Sequence, residues 1–451
     1  MVGRLSSINL KQRDYEIFRD IYEFYYMDYY TARKKYFSHL SDNSARQNIN
    51  KRFRNIAKAG YLYPIAYYSE RRKNDLGGAD LAYTLTEKGK QLLEEYLNVE
   101  LTWDSNRKYR KPLFITHHLN ILYFTSLYKS KNDYKVQFVG EASGKFQVLG
   151  KDKFMKDFIK PDAILFFEYQ DYILPWNIEY ERHSRQSNKK LLTKFTNHAN
   201  YAEKGMYKQH EIMSDFDVNV PPIFFIYTDN DLAYKRRLNI LKENKLNFYN
   251  LQNNYYYSDI IWGFKDEVEE DPEKRVFKRF SGEELTFEQV NLVQIIAQRF
   301  IEHKLSILPS DFRYRYFPSY LILDLKTKLD GVINIAANSK EASYLFKYFP
   351  EHYDWQEIND EIEKWLQISN DLGFSKQKLL KESLQHNKVN ILLIVDNHEQ
   401  ENELLKLIST KELGKEIANI YVTQKDLIIN NEPYSEIWKR HGLNERSIPL
   451  N

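Results

Sequence analysis

Strand-length and helix-length patterns alternate through the middle of the chain. Short apolar runs there predict strands, and segments with apolar residues at helical spacing predict helices. Helices are expected at 113–128, 188–203 and 232–244, and strands at 136–141, 161–169, 172–181, 223–228 and 246–251. This α-β-β-β-α-β-α-β order predicts a mixed α/β sandwich over residues 111–262, because the apolar face of each strand has to be covered by helices.

A different pattern occupies the first hundred residues. Helices are expected at 10–26, 31–37 and 43–59, followed by strands at 61–68 and 81–85 and a helix that ends near residue 96,. The third helix has one narrow apolar stripe, formed by Ala45, Ile49, Phe53 and Ile56,. Three helices, a two-stranded wing and a closing helix predict a winged helix-turn-helix domain over residues 1–102 of a chain of the α/β (α+β) class.

The charge of this N-terminal segment is lopsided, although the whole chain carries a net charge of only +3. Between Thr31 and Lys73 the only acidic residues are Asp42 and Glu70. The basic residues there are Arg33, Lys34, Lys35, Arg46, Lys51, Arg52, Arg54, Lys58, Arg71, Arg72 and Lys73. An excess of cations on one small module is typical of a surface that meets phosphates.

The third helix is the expected DNA-reading element. Its solvent face, opposite the apolar stripe, carries Asn43, Arg46, Gln47, Asn50, Lys51, Arg54 and Lys58. Gln47, Asn50 and Arg54 are candidates for base contacts, because amide and guanidinium groups pair bidentately with purines. Phosphate contacts are expected from Lys51, Arg52, Lys58, Arg71, Arg72 and Lys73. The alternative is a winged helix used only for protein contacts, with a basic face that is merely solvated.

Acidic residues of the middle segment are expected to meet at one end of a hairpin. If Gln170 and Asp171 form a two-residue turn, Tyr169 pairs with Tyr172 and Asp162 falls opposite Glu179,. Glu181 shares the face of Glu179, because alternate strand residues point to the same side. Converging carboxylates require a cation, and hard oxygen ligands suit Mg²⁺ or Mn²⁺. A bulge at Pro175 would shift this register by one residue.

These residues resemble a known pattern. Pro161-Asp162 followed by Glu179-x-Glu181 resembles the PD-(D/E)xK nuclease motif of restriction-endonuclease-like domains. More narrowly, the chain is similar to the replication-relaxation family of plasmids and integrative elements. The similar segments are Ala59-Gly-Tyr-Leu, Tyr83-Thr-Leu-Thr-Glu-Lys-Gly, His118-Leu-Asn, Lys160-Pro-Asp-Ala, Ile178-Glu-Tyr-Glu-Arg and Lys190-Leu-Leu-Thr-Lys-Phe. The resemblance implies a winged helix joined to a degenerate nuclease-like domain.

One departure from the nuclease motif leaves two interpretations open. Glu181 stands where the motif has lysine, although Lys194 or Lys190 on the following helix could replace it,. Asp162, Glu179, Glu181 and Lys194 would then form a catalytic site, with the three carboxylates binding Mg²⁺ or Mn²⁺ for phosphodiester hydrolysis. Otherwise they are remnants in a domain used for DNA or protein contacts.

The last third is predicted to begin after a charged linker at 263–285. The second α/β domain, 286–451, shows a similar order of patterns, with a helix expected at 342–349, and Ile391-Leu-Leu-Ile-Val-Asp-Asn parallels Ile223-Phe-Phe-Ile-Tyr-Thr-Asp-Asn. If this domain is a degenerate copy, Pro318-Ser319 takes the place of Pro161-Asp162, and Asn334 lies near the position of Glu179. The alternative is an unrelated α/β domain. A copy without the acidic site would favour dimerisation or docking of a relaxase or polymerase.

Composition excludes several classes of protein. The chain has no cysteine, so disulfide scaffolds, thiol nucleophiles and cysteine-ligated metals are excluded,. No apolar run approaches membrane-spanning length, no phosphate-binding glycine loop is present, and a cytoplasmic protein is expected. The favoured hypothesis is a sequence-specific double-stranded DNA-binding protein of a mobile element, acting in replication, DNA relaxation or transfer. Expected partners are DNA, a relaxase or replication proteins, and a second copy of the chain; the alternatives are a metal-dependent nuclease and a transcription regulator.

Overall fold

The chain is of mixed α/β class, with three separate β-sheets in the parts that the computed structural model describes. The described residues are 8–67, 80–102, 105–131, 134–143, 159–169, 172–181, 193, 197–198, 201, 205–216, 218, 220, 222–228, 235, 260–264, 277–279, 284–307, 313–322, 327–337, 340–351, 353–370, 389–409, 418–431 and 437–440. Within these ranges, no helix combines the length and the apolar character that a membrane span requires.

The N-terminal unit combines helices with a small antiparallel sheet of order β1-β3-β2. Its elements are α1 (Gln12–Phe24), β1 (Met27–Asp28), α2 (Tyr29–Tyr36), α3 (Asp42–Lys58), β2 (Leu62–Tyr67), β3 (Asp80–Leu85) and α4 (Glu87–Leu97). Gly60, with a φ of 84°, turns the chain from α3 into β2, a conformation that favours glycine. The helices and strands expected from the sequence are therefore present.

The first α/β unit follows a single 3₁₀ turn, Ser105–Tyr109. Its elements are α5 (Pro112–Thr125), β4 (Lys135–Gly140), β5 (Ala163–Tyr169), β6 (Tyr172–Glu181), α6 (Glu211–Asp215), β7 (Ile223–Thr228), β8 (Ile260–Phe264), β9 (Phe277–Arg279) and β10 (Glu284–Leu285). The sheet order is β10-β9-β8-β7-β6-β5-β4. Strands β6, β7 and β8 are parallel to one another, and the remaining neighbours are antiparallel.

Part of the predicted linker at 263–285 belongs to this sheet, which corrects the expected domain boundary. Gly263 and Phe264 end β8, and both β9 and β10 lie inside the predicted linker. Strand β9 pairs antiparallel with β8, with Ile261 opposite Arg279. The high charge of residues 266–275 led to the prediction of a linker. The short strands β9 and β10 were missed because their pairing depends on a neighbour distant in sequence.

The second α/β unit contains α7 (Phe287–Ile307), β11 (Arg313–Ile322), β12 (Thr327–Ala337), β13 (Lys340–Phe349), α8 (Trp355–Asn370), β14 (Val389–Val395), α9 (His398–Ser409), β15 (Ala418–Gln424), α10 (Lys425–Asn430) and β16 (Lys439–Arg440). The helix expected at 342–349 is wrong, since these residues lie in β13. That strand pairs antiparallel with β12 and parallel with β14, and Tyr344 to Phe349 are all buried. A strand buried on both faces lacks the alternation that distinguishes strands in a sequence.

Both large sheets share one order of pairings. Strands β4 to β9 pair as antiparallel, antiparallel, parallel, parallel and antiparallel, and β11 to β16 pair in the same order. Strand β12 therefore matches β5, and β13 matches β6. This correspondence overturns the expected placement of Pro318-Ser319, because those residues lie in β11, which matches β4.

The N-terminal unit packs directly against the first large sheet. One buried cluster joins Phe18 and Phe24 of α1 to Phe124 of α5 and to Trp176 of β6. Gly140 lies where the two units touch, and its N–H donates to the Glu23 carboxylate at 3.0 Å. A Cβ added there would overlap the backbone oxygen of Glu23. The absence of a side chain at this position is thus a requirement of the docking.

Replacing Gly140 with alanine is expected to loosen this docking. Overpacking in a close contact typically costs about 1–3 kcal/mol. Hydrogen exchange measured by mass spectrometry should quicken in α1 and β4, with little change in β14. Ala142→Gly, two residues along the chain, is the control, and equal exchange in Gly140→Ala and the wild type would contradict the close contact.

Candidate nucleic-acid interface

Helix α3 is held by the apolar stripe that its sequence predicts. Ala45, Ile49, Phe53 and Ile56 are all buried, and they belong to the cluster that includes α1 and β3. Ser41, and not Asp42, is the N-cap residue of α3. Asp42 instead forms an ion pair with Arg33 of α2. These contacts fix which side of α3 faces solvent.

The predicted polar face of α3 does face solvent. Asn43, Arg46, Gln47, Lys51, Arg54 and Lys58 are exposed, and Asn50 is half-buried. A shallow concavity of about 450 Å³ is lined by Arg46, Gln47, Asn50, Lys51, Arg54, Asn55 and Lys58. Within the described residues, no carboxylate lies within 4.0 Å of the charged atoms of Arg46, Lys51, Arg54 or Lys58. The face thus concentrates cationic and amide groups on one helix.

Arg52 is the exception among the predicted contact residues. Its Nε lies 3.0 Å from Oδ1 of Asp14, and its Nη2 donates to the backbone oxygen of Asn9 at 2.8 Å. Asp14 is buried, and the hydrogen bond to it raises the pKa of the Arg52 guanidinium. Arg52 therefore ties α3 to α1 and is not a phosphate contact. The sequence could not reveal this, because its partner lies far back along the chain.

The predicted contacts in the hairpin loop fall outside the described residues. Arg71, Arg72 and Lys73 lie between Tyr67, the last residue of β2, and Asp80, the first of β3. The two strands pair antiparallel from Leu62 opposite Leu85 to Tyr67 opposite Asp80. The described part of the hairpin is thus a regular antiparallel pair of strands.

The hairpin between β5 and β6 has the predicted register. Tyr169 lies opposite Tyr172, and Phe166 opposite Pro175, so no bulge interrupts the pairing. The last pair is Ala163 with Ile178, and the Asp162 N–H donates to the Ile178 oxygen at 3.0 Å. Continuing this register places Asp162 opposite Glu179, as expected from a two-residue turn.

The carboxylates nevertheless turn to different sides of the sheet. Asp162 Oδ2 accepts the Tyr180 N–H at 2.8 Å, and Oδ1 lies 3.1 Å from His117 Nε2 on α5. Glu179 is buried on the opposite face, where its Oε1 lies 3.4 Å from His198 Nε2. Among the described residues, no three histidine or acidic side chains are close enough to hold a metal ion.

The expected three-carboxylate cluster of Asp162, Glu179 and Glu181 is therefore wrong. Because Asp162 lies one residue before the start of β5, its side chain can bend into the plane of the sheet and accept a backbone N–H. Glu181 is buried as well, and Lys194, the candidate lysine, lies outside the described residues. The geometry of the described residues favours a structural role for Asp162, which takes the hydrogen bond that a longer β5 would have made.

Asp330 makes the same contact in the second α/β unit. Its Oδ2 accepts the Tyr348 N–H at 2.8 Å, just as Asp162 accepts that of Tyr180. Lys347 takes the place of Glu179, with its Nζ 3.5 Å from Asp330 Oδ1, and both side chains are buried. These residues, and not Ser319 and Asn334, stand in the matching positions. In both pairs the tyrosine lies 18 residues after the aspartate. This repeated spacing is visible in the sequence, but the predicted correspondence of the two units did not use it.

Two buried histidines are held neutral. His118 of α5 packs against Tyr25 and Phe114, with ring centroids 4.7 Å and 4.2 Å away. Burial, followed by the nearby charge of His117, lowers the pKa of His118 well below its ordinary value. Burial also lowers the pKa of His210 to about 4. Among the residues that the structure describes, neither ring belongs to a group of side chains that could hold a metal ion.

The free energy of unfolding should therefore fall as the pH drops below about 6.5, the pKa of a histidine in the unfolded chain. Below that pH the histidines of the unfolded chain bind protons, whereas the two buried histidines of the native chain do not. The free energy of unfolding then falls by about 1.4 kcal/mol per pH unit for each histidine, until the native pKa of that histidine is reached. Urea unfolding at pH 7.5, 6.5 and 5.5 measures this slope. His118→Phe should reduce it and leave the contribution of His210, whereas an unchanged slope would contradict a neutral His118.

Comparisons with known proteins add no relative. No family model, no curated protein and no solved structure matches this chain.

Proposed function

We propose that the protein is a sequence-specific double-stranded DNA-binding protein, in which the N-terminal unit acts as a winged helix. The observation that carries this proposal is the solvent face of α3. It presents Arg46, Lys51, Arg54 and Lys58 with no carboxylate partner in the described residues. A merely solvated helix face normally mixes charges of both signs.

The arrangement of elements supports a docking mode with α3 in the major groove. The buried stripe lies opposite the cationic face, so α3 can approach DNA without losing its contacts to α1. Gln47, Asn50 and Arg54 would contact base edges, because their amide and guanidinium groups match the hydrogen-bonding edges of purines. Lys51, Lys58 and Arg46 would contact phosphates, and β2 with β3 would form the wing beside them.

Base reading by Arg54 can be tested directly. Duplexes selected by the wild-type protein from a random 30-base-pair library supply the probe, and fluorescence anisotropy measures their affinity. Arg54→Ala should reduce discrimination between the selected duplex and single-base variants by about 1–3 kcal/mol at the affected position. Asn48→Ala is the matched control, because Asn48 is exposed on the same helix and is not among the proposed contact residues. Failure to enrich any sequence would contradict specific binding.

The wider roles remain predictions. Replication, DNA relaxation or transfer of a mobile element follows only from the family resemblance. The nuclease alternative receives no support from the divergent positions of Asp162 and Glu179. A transcription regulator would use the same contacts, so mapping the selected sequence to an origin or a promoter distinguishes these two roles.

A further inference from the structure

The short turn between α4 and α5 is firmly anchored. Arg107 in the 3₁₀ turn Ser105–Tyr109 is 2% exposed. Its Nη1 donates to the backbone oxygens of Ile21 and Tyr22, at 3.3 Å and 3.2 Å, near the end of α1. The Tyr26 hydroxyl donates to the Arg107 oxygen at 2.5 Å. A segment with the composition of a linker is therefore held rigidly against the N-terminal unit.

This anchoring projects cations and an aromatic ring into solvent. Lys108, Arg110 and Lys111 are exposed, and Tyr109 is 74% exposed. No acidic residue occurs in residues 105–132. We call Lys108, Tyr109, Arg110 and Lys111 the basic turn. Its cations also lie at the start of α5, whose first turn has no acidic residue. Cations at the positive end of a helix are unfavourable in the protein alone.

The basic turn lies beside the proposed DNA-binding surface. The Lys108 ammonium is 5.9 Å from the ring centroid of Tyr63, which is itself 46% exposed. Tyr63 is the second residue of β2, and β2 begins just after Gly60, at the end of α3 nearest Lys58. The basic turn therefore adjoins β2, the strand that the proposed docking mode places beside the DNA.

We propose that the basic turn is a second contact surface for the same DNA duplex, which binds the phosphate backbone flanking the segment read by α3. This inference rests on the proposed function. Lys108, Arg110 and Lys111 supply charge, and the Tyr109 hydroxyl supplies a hydrogen-bond donor to a phosphate oxygen. Arg107 is the positioning residue, because its buried guanidinium sets the path of the turn. The contact lengthens the duplex site and adds affinity without adding base specificity.

The test compares the wild type with Lys108→Gln/Arg110→Gln/Lys111→Gln on the selected 30-base-pair duplex. Each lost phosphate contact lowers the slope of log K against log salt by about 0.9, so the triple variant should lower it by about 2.7. Affinity at 0.1 M salt should fall by about 500-fold, by the same relation. Hydroxyl-radical footprinting should show loss of protection at one flank of the site, with the central protection kept. Lys131→Gln/Lys135→Gln/Lys406→Gln, which changes three exposed lysines elsewhere, should leave both measurements unchanged.

The outcomes separate this inference from the proposed function. A triple variant with the wild-type slope and footprint overturns the basic turn as a contact, even if Arg54→Ala loses specificity as proposed. A wild-type protein that binds no duplex overturns the proposed function and, with it, this inference. Preferential binding of a 30-nucleotide single strand, lost in the triple variant, overturns the assignment to a duplex. Circular dichroism verifies folding, and Tyr109→Phe, which keeps the ring, should weaken binding by severalfold.

Discussion

Neutralising the cationic face of α3 should nearly abolish DNA binding. The variant Arg46→Gln/Lys51→Gln/Arg54→Gln/Lys58→Gln removes four exposed charges and leaves the buried stripe intact. The three proposed phosphate contacts, Arg46, Lys51 and Lys58, account for a fall of about 2.7 in the slope of log K against log salt. With the loss of the Arg54 base contact as well, affinity at 0.1 M salt should fall by about 10³-fold or more. Fluorescence anisotropy over a salt titration measures both quantities on one duplex.

The matched control uses exposed side chains of the same helix. Ser44→Ala/Asn48→Ala changes two polar residues of α3 that are not among the proposed contacts, without changing the charge of the helix. It should keep the wild-type salt slope. An α3 charge variant that binds with the wild-type slope would show that duplex binding, if present, uses another surface.

Asp330→Ala should strongly destabilise the second α/β unit. The change removes the carboxylate 3.5 Å from buried Lys347 and the acceptor of the Tyr348 N–H. Removing one member of a buried ion pair typically costs about 3–5 kcal/mol, because the remaining charge stays in a poorly solvating site. Hydrogen exchange of peptides from β12 and β13 is the appropriate measurement, since a chain with several units need not unfold in one step.

The matching substitution in the first unit gives the comparison. Asp162→Ala also removes an acceptor for a backbone N–H, but its other partner, His117, is 26% exposed at the side chain. Its expected cost is therefore smaller, about 1–3 kcal/mol. Adding Lys347→Met to Asp330→Ala should recover part of the loss, because the buried cation that has lost its carboxylate is then removed. Equal exchange in Asp330→Ala and the wild type would rule out a stabilising role for the pair.

The shared geometry of Asp162 and Asp330 also concerns the evolutionary origin of the second α/β unit. Asp162 directly precedes the first pair of β5 with β6, and Asp330 directly precedes the first pair of β12 with β13. Each aspartate accepts the N–H of a tyrosine on the next strand. With the shared order of strand pairings, this favours the hypothesis that the second unit is a copy of the first. Lys347 in place of Glu179 then changes an acidic position into a cation that neutralises the aspartate.

Local patterns in the sequence were enough to predict α3 and the β5–β6 hairpin. The apolar stripe of α3 repeats at helical spacing, so the same four residues are buried and the opposite face is exposed,. Tyr169 pairs with Tyr172, as predicted from the two residues that separate them in the sequence, and every later pair follows from counting,. Both features depend on residues close together in the chain.

Contacts between distant segments were decided only by the tertiary structure. The ion pair of Arg52 with Asp14, the turn of Asp162 toward His117, and the anchoring of Arg107 under α1 each join residues far apart in sequence. The same reason made β13 a strand, since β12 and β14 supply its hydrogen bonds and bury both of its faces. Periodicity describes which side of an element is apolar, whereas the partner that covers this side is set by the packing of the whole chain.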